Sequence, residues 1–276
     1  MLKDTLQFLM MITISLGVAV LLRLFAVDFY SIPSDSMSPA IEPGDFIMVN
    51  KLSFGARMYR NFDFLENGSE PETWRVKGFS PIRHGDVVVF NFPYARSWDK
   101  ISMHLSKFYV KRCIGIPGDT LRIREGFYEI NGKRGFGNLR DQEMIGNFKG
   151  IFPPGIFHTI PFDFRMGWNI RNMGPLYIPR QGDVVRLDSV SIRLYQKMME
   201  YENRTKGKVQ TVNTNSYTFR TNWYFMAGDR MWNSQDSRYI GLIPEEFIVG
   251  KATRILYSKD RETGEFYWDR FLKRIR

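Results

Sequence analysis

The sequence predicts a mostly β protein, an antiparallel β-sheet domain carrying an inserted subdomain, preceded by one N-terminal transmembrane helix. Three observations predict it. An apolar run opens the chain, Gly-Asp pairs precede β-branched runs through most of the remainder, and a stretch rich in Gly, Phe and Met interrupts that pattern midway. The expected organisation is an N-terminal segment and anchor over 1–30 and a β domain over 31–276, with the insertion at roughly 134–217.

The anchor comes first. Thr5 to Leu22 is 18 residues without a charge, and Leu24–Val27 continues the apolar run past Arg23. About 20 helical residues cross the hydrocarbon of a bilayer, and Arg23 sits near enough to the far interface for its guanidinium to snorkel. Phe29 and Tyr30 suit an interfacial aromatic anchor. A cleaved leader would want a small-x-small site after the run, and Leu24–Asp28 lacks one, so a retained single span is expected.

Beyond residue 30, Gly-Asp pairs precede strand-like Phe46–Val49, Val87–Phe90, Thr120–Arg124 and Val184–Leu187. Gly permits the turn and Asp bonds the backbone beyond it, so the pair marks strand entry. Asn131-Gly132 is a hairpin signal. Residues 135–175 read as loops and short strands. Asp188–Asn203 reads as a helix, capped by Asp188 or Ser189, with Ile192, Tyr195 and Met199 at helical spacing. Strand-like sequence resumes over Tyr217–Tyr257. The tail from Phe266 to Arg276 is basic and aromatic, either a solvated end or a surface resting on lipid headgroups.

Composition narrows the chemistry. One cysteine, Cys113, excludes a disulfide framework or Cys-rich zinc site, and His84, His104 and His158 lack ligand-pair spacing. No metal and no cofactor are expected. The net charge of +10 permits contact with an anionic membrane or nucleic acid. No Gly-x-Ser-x-Gly elbow is present. A serine activated by a neutral lysine remains open, and it requires a dry setting to lower the lysine pKa. Two segments suit that chemistry: Ser31–Pro39, stiffened by Pro33 and Pro39 just after the span, and Lys107–Asp119, where Tyr109, Lys111 and Cys113 share one face of a strand. Each alone also reads as an ordinary linker or an ordinary strand.

Together the segments resemble the bacterial type I signal peptidases, membrane-anchored Ser/Lys serine proteases. Four blocks match in order: Pro33-Ser-Asp-Ser-Met37 with Pro39, Arg83–Phe90, Tyr109–Asp119 and Gly228–Arg238. The resemblance implies Ser36 as nucleophile, Lys111 as general base, and Ser34 with the Ser36 backbone N–H as the oxyanion hole. It implies that Ser234 bonds the lysine, that Gly228 permits close approach, and that Asp236 and Arg238 form a supporting ion pair. Ile32, Pro33 and Val110 would line shallow pockets for small side chains. The implied substrates are preproteins carrying signal peptides, cut after Ala-x-Ala at a bacterial inner membrane, with the catalytic domain on the periplasmic side. The bilayer is then a partner and nucleic acid is not. One departure stands out: Arg230-Met-Trp232 replaces the usual Asn, Arg and a variable or acidic residue.

Three rivals make different predictions. An inactive relative that binds signal peptides would show a replaced Ser36 or Lys111, and both are intact. A self-cleaving Ser/Lys repressor would carry a helix-turn-helix domain in place of the span. A membrane-anchored basic binding module accounts for the charge but predicts neither segment.

Overall fold

The computed structural model describes residues 2–67, 69–207 and 215–276, so residues 208–214 of the expected insertion lie outside the described residues. Helix α1 (Leu2–Phe25) forms over the apolar run and is long and apolar enough to cross a membrane. Its last turn is tied to the following domain. Lys51 Nζ donates to the Arg23 carbonyl at 2.7 Å and lies 3.0 Å from Asp28, while Arg23 itself stays exposed.

The strands follow in chain order: β1 (Val27–Ser31), β2 (Asp45–Asn50), β3 (Arg57–Tyr59), β4 (Thr73–Arg75), β5 (Val87–Asn91), β6 (Phe108–Gly115), β7 (Thr120–Arg124), β8 (Phe127–Ile130), β9 (Lys133–Arg134), β10 (Met173–Tyr177), β11 (Val184–Arg186), β12 (Ser216–Thr218), β13 (Trp223–Ala227), β14 (Ile243–Pro244) and β15 (Ile248–Ser258). Helices α2 (Phe64–Asn67), α3 (Leu139–Asn147), α4 (Pro154–Phe157), α5 (Ser189–Thr205) and α6 (Ser237–Ile240) lie between them. The pairings are antiparallel, and seven strands form the main sheet in the order β1-β2-β15-β5-β6-β13-β14. The sheet curls, bringing Tyr30 of the edge strand to 5.0 Å from Phe108 of β6.

Alternation along β5 shows how the interior divides. Val88 and Phe90 face a large core shared with α5 and β13, whereas Val87 and Val89 face a smaller one with Ile32, Met37, Ile47 and Ile255. All five β5 residues are buried, so both faces of this central strand are covered.

Several expectations meet the structure directly. The Gly-Asp-led runs are strands, and Asn131 and Gly132 take positive φ (51° and 78°) in the β8–β9 turn, as a tight hairpin requires. Asp188 caps α5 by accepting from Val190 and Ser191 N–H groups. The buried face of α5 differs from the expected one. Tyr195, Met198 and Tyr201 are buried while Ile192 is exposed, because the large core offers its aromatic rings to that stripe. Residues 135–175 hold helices α3 and α4, which an uneven Gly-rich pattern concealed. Strand β1 straddles the expected boundary at 30/31. The second sheet, β10-β7-β8-β9, likewise joins strands from before and within the 134–217 stretch.

Candidate active site

Ser36 is held by its neighbours in sequence. Ile32 N–H donates to the Asp45 carbonyl and Gly44 N–H to the Ile32 carbonyl, while Met37 and Ile41 bury their side chains in the smaller core. The prolines keep the intervening segment out of helix. The Met37 anchor fixes Ser36 from one side, and the Ser36 carbonyl accepts from Arg230 N–H at 3.1 Å on the other.

Lys111 comes from the middle of β6. It pairs with Val88 and therefore shares that face with Tyr109 and Cys113, while Val110 points to the opposite face opposite Val89. Its Nζ lies 2.6 Å from Ser36 Oγ, and the two residues are only 5% and 8% exposed. Burial pushes the ammonium down to about 8, against the pull of Asp236 and Asp229 and aided by the Arg238 cation. At pH 7 that raises the neutral fraction from roughly one in three thousand to about one in ten.

Behind the lysine lies a fully buried pair. Arg238 Nε and Nη2 donate to Asp236 at 2.8 and 2.7 Å, and both side chains are inaccessible to solvent. Asp236 Oδ2 also accepts from Gly228 N–H at 2.9 Å and from Ser234 Oγ at 2.7 Å. Burial alone would raise the Asp236 pKa. The Arg238 charge and these donors outweigh it and hold the carboxyl below its ordinary range. Ser234 thus departs from the implied arrangement. Its hydroxyl proton goes to the carboxylate, the stronger acceptor within reach, and Lys111 Nζ bonds Ser36. Gly228 is needed for space: a Cβ there would lie 2.2 Å from Ser234 Oγ and 2.5 Å from the Ser36 carbonyl oxygen.

Above these groups opens a cleft of about 410 Å³, lined by Ser31–Met37, Phe108–Lys111, Asn233 and Gln235 among others. It therefore holds Ile32, Pro33, Ser34 and Val110 together with Ser36 and Lys111. Ile32 is buried, Val110 half-buried, and Pro33 and Ser34 face solvent. Among the described residues β1 pairs only with β2, and β13 pairs with β6 only from Arg112 onward, which leaves β6 a free edge from Phe108 to Lys111.

Sequence reasoning passed over the polar ties across this cleft. Asp35 accepts from Asn233 Nδ2 at 2.7 Å and from Arg230, and Tyr109 OH donates to Gln235 Oε1 at 2.5 Å. An acidic residue between two serines, opposite an unusual arginine, was the available signal. The other two departing residues also have places. Met231 is buried in the large core, and Trp232 stacks on Phe152 at 5.1 Å and meets Phe148 edge-on at 4.8 Å. Among the described residues, no group of three His, Cys, Asp or Glu side chains is placed to hold a metal ion.

Comparison with known proteins places the chain in a family. A family model described as signal peptidase, peptidase S26, matches residues 5–257. Signal peptidase I of Pseudomonas aeruginosa is 29% identical over 254 residues, covering 88% of this chain and 69% of that protein. Signal peptidase I of Haemophilus influenzae is 27% identical over 295 residues, covering 98% and 76%. A solved signal peptidase I from Enterococcus faecalis V583 shares 17% identity over 62% of this chain and 97% of its own, with a TM-score of 0.32.

Proposed function

The chain belongs to the signal peptidase family, peptidase S26, a family of serine peptidases, and we propose that it cleaves preproteins after Ala-x-Ala with a Ser36/Lys111 dyad. The observation that carries this reading is the 2.6 Å approach of Lys111 Nζ to Ser36 Oγ in a site dry enough to bring the lysine to about 8. An ammonium cannot accept a proton, and the neutral amine can.

In the first step Ser36 Oγ attacks the carbonyl carbon before the cut as its proton passes to Lys111 Nζ. The tetrahedral oxyanion is stabilised by the Ser36 N–H and the Ser34 hydroxyl. The C–N bond then breaks, and the new amino terminus leaves with the proton from Lys111. A water molecule hydrolyses the ester: one of its protons passes through Lys111 back to Ser36 Oγ, the other leaves to solvent, and the signal peptide is released as its carboxylate. Asp236 and Arg238 hold the 228–238 loop against Ser36, with Gly228 and Ser234 as its inner contacts. An extended substrate adds to the free edge of β6, with its small residues facing Ile32, Pro33 and Val110.

Placement supports the substrate class. Ser36 lies about ten residues past the end of α1, a depth at which a signal peptide's cut site would leave its own apolar helix. A line of rings, Phe29–Phe46–Tyr257–Phe266–Trp268, runs from the foot of α1 at centroid spacings of 4.5–6.2 Å, with Trp268 and Phe271 exposed at its end. In this reading that strip and the basic tail rest on the bilayer, with the domain on the periplasmic side of the inner membrane.

The test is cleavage of a detergent-solubilised preprotein carrying an Ala-x-Ala site, beside folded Ser36→Ala and Lys111→Ala proteins. Cutting after the second Ala by the parent alone supports the dyad and the specificity together. A folded parent that binds the preprotein without cutting it overturns both.

A further inference from the structure

A second cavity of about 400 Å³ adjoins the cleft, sharing Asn233 and Gln235 with it and lying next to Ser234. Its walls are aromatic: Trp98, Phe162, Trp232 and Tyr239. Trp98 and Phe162 are 53% and 60% exposed, and neighbouring groups hold Trp98, Trp232 and Tyr239 in place. Trp98 packs against Tyr94 and Phe92 at 5.0 and 5.6 Å, Trp232 is set by Phe148 and Phe152, and Tyr239 OH donates to the Ile156 carbonyl at 2.7 Å. No role in the dyad chemistry explains this arrangement.

Alternation along β6 indicates what would enter it. Val110 faces the smaller core with Ile32, whereas Tyr109 and Lys111 face the other way, and Tyr109 OH reaches Gln235 on the rim of the second cavity. A peptide strand added to the free edge of β6 alternates in the same manner. If the two small residues before the cut face Ile32 and Val110, the residue between them and the first residue after the cut face Tyr109 and the rim.

From this, and resting on the endopeptidase reading above, we propose that the Trp98–Phe162–Trp232 cavity is a substrate subsite. It accepts an aromatic or long aliphatic side chain from one of those two outward-facing positions. Stacking on the rings of Trp98 and Trp232, which are already held in place, favours such a side chain at little ordering cost, whereas a carboxylate there would exchange its hydration for neutral amide donors on the rim and no counter-charge.

The test uses the full-length protein in detergent and peptides that keep Ala at both small positions. Phe, Leu, Ala or Asp is placed at the middle position or at the first position after the cut. The parent is expected to favour Phe over Asp by about tenfold or more in kcat/KM at one of these positions. In Trp98→Ala and Phe162→Ala, that ratio falls toward one. The distant surface variant Trp74→Ala keeps the parent's ratio. Thermal melting establishes that each variant is folded, and Trp98→Phe, which retains a ring, restores most of the preference. A parent that cuts all the peptides at one rate overturns the subsite alone, as does a preference that survives in both alanine variants. A folded parent that cuts none of them overturns the endopeptidase reading and the subsite with it.

Discussion

The two sides of the Ser36–Lys111 contact are built in opposite ways. On the lysine side, Asp236 and Arg238 are sealed from solvent and joined by three hydrogen bonds, and Asp236 takes further bonds from Gly228 and Ser234. On the serine side, Ser34 faces solvent, and Asp35 is held by the half-exposed Arg230 and by Asn233. In the proposed mechanism the difference follows from what each side must do. A lysine becomes a base near neutral pH only where water is excluded, and exclusion requires partners for every buried charge. An oxyanion hole must stay open until a substrate closes it.

Breaking the contact itself has the largest expected effect. Ser36→Ala and Lys111→Ala should each lower the cleavage rate by at least about a thousandfold, measured on the preprotein, with melting curves close to the parent's. The sealed side is tested next by Arg238→Met. It leaves the Asp236 carboxylate buried without its counter-charge and should cost about 3–5 kcal/mol in denaturant unfolding. Any protein that still folds should show its pH–rate curve moved upward, since the Asp236 charge then pulls Lys111 toward the ammonium form.

The open side is tested by Ser34→Ala. Loss of an oxyanion donor should cost about 2.7–4 kcal/mol of transition-state stabilisation in kcat/KM. Because Ser34 is exposed, unfolding should shift by less than about 0.5 kcal/mol. A variant losing stability instead would erase the contrast between the sides. The pH dependence sharpens it: kcat/KM should rise about tenfold per unit below the lysine pKa and level off above about 8, since only the neutral amine acts. A profile flat from pH 6 to 9 would overturn the dry-lysine account. Smallest of all, Arg230→Ala should change activity by less than about 1 kcal/mol, and by less still at high salt, as befits a partly exposed ion pair.

Particular residues show how far the site was legible. Ser36 and Lys111 stand 75 positions apart and meet in the structure. No periodicity joins them, so only the resemblance of ordered blocks could link them in the sequence. The strand-entry Gly-Asp pairs, the Asn131-Gly132 turn and the Asp188 cap were legible because each rests on contacts within a few residues. Helix α4 was hidden because Pro, Gly and Phe make up a single turn with no period to read, and α3 because polar Asp141 and Gln142 share its buried face with Ile145. The exposure of Ile192 was hidden for a related reason, since a helix alone does not say which stripe its partner core will choose.

By itself the sequence determined what local chemistry controls: an apolar run long enough for a bilayer, strands entered through Gly-Asp, and a serine segment stiffened by prolines. Only the tertiary structure decided what depends on distant partners. Curling of the sheet brought β1 toward β6, and the Asp236–Arg238 pair closed behind Lys111. The hydroxyl of Ser234 went to a carboxylate, and an aromatic wall rose beside the cleft. Electrostatics inside a protein depends on what excludes water, and that exclusion is assembled from residues far apart along the chain.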